Sequence, residues 1–280
     1  MRITFFGTTT LLFDDGKDQI LFDAHFTRPS MMKYIRNARV NTNTALCDEL
    51  IRIHHINRLR AIFVSHTHHD HVMDAPSMAK KCGAVIYGSK SAKNAAAGGG
   101  VGEDKIIVFR HGSRFSIGDY KIRILKSLHS RPTRLNNDLG VPIRQPLVQP
   151  AGLREYKEGG SYDFYIEHGD KKILIRPSFN YIKGQLDDIR ADVLFLGVAG
   201  LGKADPETED MFFAETVEKT EAGLVIPIHW DNFFVPLCEP AAGMPGVIEK
   251  TEHIFFKLAK YCEAHDVNCI IQYPRTSIEI

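Results

Sequence analysis

The ten residues Ile62-Phe63-Val64-Ser65-His66-Thr67-His68-His69-Asp70-His71 constrain this chain more than any other stretch. An apolar β-type run leads straight into H-x-H-x-D-H, which puts four metal-capable side chains on one loop. Side chains alternate along a strand, so an extended end points His66 and His68 the same way. Asp70 and His71 lie past it, on a turn that brings a second donor pair towards the first. Neutral imidazole suits zinc, iron and manganese, and a carboxylate adds the charge and basicity that a hydrolytic site needs. A histidine-rich surface loop without metal is the bland alternative, and the position directly after a buried strand argues against it.

Around this motif the chain alternates strands and helices. Ile3–Phe6, Thr9–Phe13 and Gln19–Phe22 read as consecutive strands, with Asp15-Gly16 as a turn signal. Residues 34–59 read as helical from the spacing of Leu46, Leu50, Ile51 and His54. Helices near 75–81 and 91–97 separate strands at 84–87 and 105–108, and a strand follows at 120–128. Strands at 162–166, 172–175, 193–196, 224–228 and 268–271 alternate with helices at 208–219 and 247–265. Residues 131–160 hold Pro132, Pro142, Pro146 and Pro150 with no sustained period, as expected of a functional loop over a site. The expectation is a single α/β domain over residues 1–280.

Composition removes several function classes. Lys+Arg and Asp+Glu leave a net charge of +1, so no global field recruits nucleic acid or an anionic membrane. A membrane span needs about 20 apolar residues, and the longest charge-free apolar stretch, Val193–Gly202, has ten. The first residues meet Asp14-Asp15 without a small-residue cleavage site, and five cysteines in no repeated spacing do not make a disulfide framework. A cytoplasmic chain with reduced thiols is expected.

The motif resembles the signature of the metallo-β-lactamase superfamily of metal-dependent hydrolases. Gly7, the strand end Leu21-Phe22-Asp23, the central motif and the closing Ile226-Pro227-Ile228-His229 follow in the family's order along nearly the whole chain. The resemblance implies a four-layer αββα sandwich with a binuclear site on one edge. It implies His66, His68 and His129 as one metal's ligands, and Asp70, His71 and His229 as the other's. The implied cofactors are two divalent ions, zinc first, with manganese or iron as alternatives. His54, His55, His111, His168, His253 and His265 are expected to be ordinary surface or helix residues.

One position departs from the family pattern. Where an aspartate usually bridges the two metals, Ile173-Leu174-Ile175-Arg176-Pro177-Ser178-Phe179-Asn180 offers no carboxylate. Ser178 occupies the place, with Asn180 as the runner-up. A solvent-bridged pair, a single-metal site and a degenerate site all remain open, and Asp231 is an alternative carboxylate. A metal lowers the pKa of its water to about 7 and thereby supplies hydroxide at neutral pH. Asp70 is the expected catalytic residue, orienting that hydroxide and taking its proton. A site with one carboxylate favours an anionic ester, lactone or phosphoester, assisted by Arg131, Arg176 and Ser178.

The length and the terminal Ile-His-Trp-Asp segment are loosely similar to the branch that includes L-ascorbate-6-phosphate lactonase. The near-neutral chain and the lack of an inserted second domain fit the ribonuclease branches less well. Gly197–Ala204 nearly matches a phosphate-binding loop, but Ala204 lacks the hydroxyl that magnesium needs and Asp205-Pro206 follows. A non-catalytic ligand-binding protein of the same fold is the rival reading.

Overall fold

The first 22 residues form a sheet that is buried on both faces, because each strand splits its apolar side chains between two sides. In the computed structural model, which describes residues 1–133 and 137–280, the strands are β1 (Arg2–Phe5), β2 (Leu11–Asp14) and β3 (Gln19–Phe22). A short β4 (Arg39–Val40) precedes β5 (Leu59–Phe63), β6 (Val85–Gly88) and β7 (Ile106–Val108). Then come β8 (Arg114–Ile117), β9 (Tyr120–Ser127), β10 (Ala151–Gly152), β11 (Ser161–His168) and β12 (Lys171–Arg176). The chain closes with β13 (Val193–Gly197), β14 (Leu224–Ile228), β15 (Asn268–Cys269) and β16 (Thr276–Glu279).

One sheet has the order β16-β1-β2-β3-β5-β6-β7 and the other β15-β14-β13-β12-β11-β9-β8. Each is antiparallel in one half and parallel in the other, β3 to β7 and β12 to β15 being the parallel runs. Phe13, Phe22, Ala61 and Phe63 face the second sheet, where Phe22 and Phe63 meet Phe164 at 5.1 and 5.9 Å and Phe13 meets Phe195 at 6.1 Å. Leu12, Leu21, Ile62 and Ile86 point the other way, onto the helices α2 (Thr44–Ile53), α4 (Ala75–Cys82) and α5 (Lys90–Gly98). Helices α6 (Pro206–Phe213) and α7 (Thr251–Ala264) cover the second sheet through Phe212, Phe213, Ile254 and Leu258. The result is the expected αββα sandwich. Two further α-helices are short, α1 (Met31–Ile35) and α3 (His69–Val72).

Two sequence expectations are corrected. Residues 34–59 are not one helix: α1 ends early, β4 follows, and Asn43 starts α2 by accepting the Leu46 N–H at 3.1 Å. The C-terminal β16, whose residues are mostly exposed, pairs with β1 from Arg2↔Glu279 to Phe5↔Thr276 and was not foreseen. The loop at 131–160 includes residues 134–136, which lie outside the described residues. Its later part is fastened to the histidine loop, for Thr67 N donates to Glu158 O at 2.9 Å. The buried Glu158 carboxylate in turn accepts from Gly140 N, Gly160 N and Ser161 Oγ.

Phe164 sits at the seam between the sheets with none of its surface exposed. Truncating it to alanine leaves a cavity against Phe22 and Phe63. Phe164→Ala is therefore expected to cost about 3–5 kcal/mol in equilibrium urea unfolding, and a loss near zero would contradict this packing.

Candidate metal centre

The histidine loop takes its shape from Asp23. This buried carboxylate at the end of β3 accepts the Ser65 N–H at 2.7 Å, the Ser65 hydroxyl at 2.7 Å and the Thr9 hydroxyl at 2.5 Å. It also accepts from His71 Nδ1 at 2.7 Å. Ala24 N donates to His71 O at 2.7 Å, and the turn α3 lifts Asp70 and His71 off the direction of β5. His129 lies two residues beyond β9 and His229 one beyond β14, so all six donors collect where these strands end. His229 adopts φ +62° and donates its backbone N–H to Thr8 O, which ties it to the opposite sheet.

The six side chains form two groups. One ligand atom each from His66, His68 and His129 lie within 4.8 Å of one another, and the same holds for Asp70, His71 and His229. Asp70 Oδ2 is 3.5 Å from His71 Nε2 and 3.4 Å from His229 Nε2. Donors on a tetrahedron with bonds of about 2.1 Å stand about 3.4 Å apart, so this spacing is that of ligands around one ion. In the first group the imidazole centroids are 4.7–5.0 Å apart. The outward nitrogens are fixed: His68 Nε2 to Asp138 Oδ1 at 3.0 Å, His129 Nδ1 to Ser130 O at 2.9 Å, His71 Nδ1 to Asp23. Inward, His66 Nε2 and His71 Nε2 are buried without a hydrogen-bond partner among the described residues. Orphaned inner nitrogens with anchored outer ones are what a metal-ligating histidine requires, and the donor set fits divalent metal.

Electrostatics keep these donors in the ligating form. Burial, reinforced by His71, His129 and His68, holds His66 well below the ordinary histidine pKa. Burial takes His129 down to about 4, with His68 adding to the shift. For Asp70 burial is the largest influence and acts upward. His71, a hydrogen bond with His229 and the charge of His69 outweigh it and hold the carboxyl well below its usual range. Near neutral pH His66 and His129 are thus uncharged imidazoles and Asp70 is a carboxylate.

Other expected site residues are distributed differently. Arg131 and Ser178 line the cavity above the six donors together with His68, Asp70, His129 and His229. Arg176 does not: it is 1% exposed and bonds Asp163 Oδ2 at 2.9 Å and Asn180 O at 3.0 Å, a pairing within the interior rather than with substrate. Asp231 is no spare ligand, because Arg28 holds it at 2.9 Å and Thr8 N donates to it at 2.7 Å. Gly7, at φ +92°, lets these groups meet, since a Cβ there would lie 2.0 Å from the Arg28 guanidinium. Asn180 is structural as well, donating through Nδ2 to His129 O at 2.7 Å. The glycine-rich segment after β13 also reaches the cavity through Ala199, Gly200, Lys203 and Ala204.

Sequence reading missed the anchoring roles of Asp23 and Asp138, and it gave no role to His25, Tyr34, His69, Phe233 or Phe234. Asp23 had a legible signal, a carboxylate at the end of an all-buried strand. His168, expected to be ordinary, meets Asp15 at 3.0 Å and groups with Asp119 at the other end of β11.

Two sheets with a histidine–aspartate edge define a metallo-β-lactamase fold. The family profile described as "Beta-lactamase superfamily domain" matches residues 18–230, and the chain belongs to that superfamily. It is 29% identical over 210 residues to a UPF0173 metal-dependent hydrolase of Roseiflexus castenholzii, covering 75% of this chain and 79% of that one. It is 26% identical to a UPF0173 metal-dependent hydrolase of Symbiobacterium thermophilum, covering 90% and 93%. Among solved structures, the metallo-β-lactamase fold protein YhfI from Bacillus subtilis superposes at a TM-score of 0.60 with 15% identity over 99% of both chains. The isothiocyanate hydrolase from Delia radicum gut bacteria gives 0.59 with 14% identity over 100% and 99%. This chain is a metal-dependent hydrolase of that fold.

The depressed histidines set the pH response of the metal-free chain. For a group such as His129, at about 4 folded against 6.5 in a model peptide, the unfolded state binds the proton more readily. Its contribution is therefore complete above pH 6.5 and is lost as pH falls towards 4. Thermal melts of chelator-treated protein should show Tm falling across this window. A Tm that rises on acidification would contradict the buried, neutral state of these rings.

Proposed function

We propose that the chain hydrolyses a small anionic ester, lactone or phosphoester with two divalent metal ions, zinc in the first instance, held by His66, His68 and His129 and by Asp70, His71 and His229. The observation that carries this reading is the pair of three-donor groups side by side, with His66 Nε2 and His71 Nε2 buried and unpartnered among the described residues. When bound, such ions lower the pKa of a coordinated water to about 7 and polarise the substrate's oxygen.

The protein's own groups do the rest. Asp70, held ionised, is the acceptor for the proton released as water attacks, and its carboxylate beside His71 and His229 orients that water. Asp23 and Asp138 fix His71 and His68 in rotation, so the donor set needs little rearrangement. Two dications face one carboxylate in the site and two behind it, which leaves net positive charge for an anionic substrate. Arg131 adds a cation at the cavity wall, and the Ser178 hydroxyl lies where a hydrogen bond to substrate is available. A net charge of +1 supports a small molecule over RNA as substrate. Among the described residues no helix is long and apolar enough to cross a membrane. The five cysteines are unpaired, which supports the cytoplasm as the location.

Elemental analysis of protein purified without chelator should find about two metals per chain, and His66→Ala and His229→Ala should each lose about one. Turnover of phosphorylated and lactone substrates should vanish with a chelator and return with zinc. Failure to take up zinc, manganese or iron would favour the non-catalytic binding protein instead. Ser178→Asp restores the missing carboxylate. It is expected to retain metal about tenfold better against a competing chelator and to lose preference for anionic over neutral esters.

A further inference from the structure

The cavity over the donors, about 670 Å³, has a lining of two chemical kinds. It falls in the range that encloses drug-sized molecules, roughly 300–1,000 Å³, and gives room for far more than a reacting bond and its charge. Arg131 and the metal donors supply one kind. A cluster of rings beside the donors supplies the other. Phe233 lies 5.4 Å from His229 and 4.6 Å from Phe234, which lies 5.6 Å from Tyr34. Tyr34 stacks on His69 at 5.3 Å and 27°. These four side chains all line the cavity, and the three aromatic ones are only half-buried. His69 is 4% exposed, and its Nε2 has no hydrogen-bond partner among the described residues. A buried polar atom left this way is costly unless something in the cavity completes it.

We infer that the substrate carries an aryl group seated on Tyr34, Phe233 and Phe234, with a polar atom beside that group hydrogen-bonded to His69 Nε2. This deepens the hydrolase reading, on which it rests, by naming the part of the substrate that does not react. Offset and edge-on ring packing favours a flat aromatic group over an alkyl chain of similar area. The anionic group then lies beside the metal donors and Arg131. The expected substrate is an aryl-bearing acid or phosphate derivative.

Trp230 is the sole tryptophan of the chain and lines the same cavity. Its fluorescence reports binding to the metal-loaded protein without turnover. The probes are pentanoate, 5-phenylpentanoate and N-benzoyl-β-alanine, which share a carboxylate and a spacer length and differ in the ring and the carbonyl beside it. The phenyl group is expected to tighten binding about tenfold or more over pentanoate, and the benzoyl carbonyl by a further few-fold. Phe234→Ala should remove most of the phenyl advantage and leave pentanoate unchanged. His69→Phe, with metal content confirmed equal, should remove only the benzoyl increment. Equal binding of pentanoate and 5-phenylpentanoate, or a phenyl advantage that survives Phe234→Ala, overturns the aryl subsite. A benzoyl increment that persists in His69→Phe overturns the role of His69. Should the aryl probes bind as expected while no aryl ester or phosphoester is turned over, the hydrolase reading fails and the subsite stands. Turnover that ignores the aryl group leaves the hydrolase and removes the subsite.

Discussion

A single buried carboxylate, Asp23, governs how this site is assembled. It is 1% exposed and accepts from Ser65, Thr9 and His71, residues that come from three different stretches of chain. Without it the Ser65 N–H just beyond β5 has no partner, and His71 has no fixed rotation. A buried charge is tolerated only when several donors replace its water, and here each donor belongs to a segment the site needs in place. The same group thus closes β2, β3 and β5 at their ends and aims one ligand. Its dependence on geometry makes the centre a property of the sandwich rather than of the histidine loop alone.

The donor cluster is costly in the absence of a ligand. Four of its histidines crowd together, with His66 and His71 ring centroids 3.7 Å apart, and burial holds His66 and His129 below the ordinary histidine pKa. The inner nitrogens of His66 and His71 are buried without hydrogen-bond partners among the described residues. Folding and metal binding are therefore coupled in this fold: whatever completes the nitrogens also stabilises the folded state by mass action. Arg28–Asp231 and Arg176–Asp163 frame the site from opposite sides as buried pairs whose charges compensate within the protein. They hold the surrounding backbone while contributing no charge to the cavity.

The strands and the four-donor loop were legible from short-range pattern, whereas the sandwich and the distant His129 and His229 were expected only from the resemblance to the family. Apolar runs marked the strands that carry Phe13, Phe22, Phe63, Leu12, Leu21 and Ile62, and the motif spacing placed four donors on one loop. The rest depends on partners far away in sequence. Arg176, between an apolar strand and a proline, looked suited to a substrate; Asp163 on the neighbouring strand, which claims it, cannot be identified from spacing alone. The polar β16 has no apolar period to reveal it and exists because β1 offers an unpaired edge. Tyr34, Phe233 and Phe234 come from loops and a short helix almost 200 residues apart, so no local signal joins them.

The missing carboxylate at Ser178 and the ring wall follow one logic. A bridging aspartate would place negative charge at the centre of the cavity floor; a hydroxyl leaves that floor more positive and more open. Such a centre gains more from a negatively charged substrate, but charge alone selects poorly among the many small anions of a cell. Discrimination then has to come from the part of the molecule that carries no charge. The aromatic wall beside His229, joined through Phe233 to the ligand set itself, is such an uncharged surface. On the proposed reading, attraction from the metal donors and shape at the ring wall act together to concentrate anions and still reject most of them.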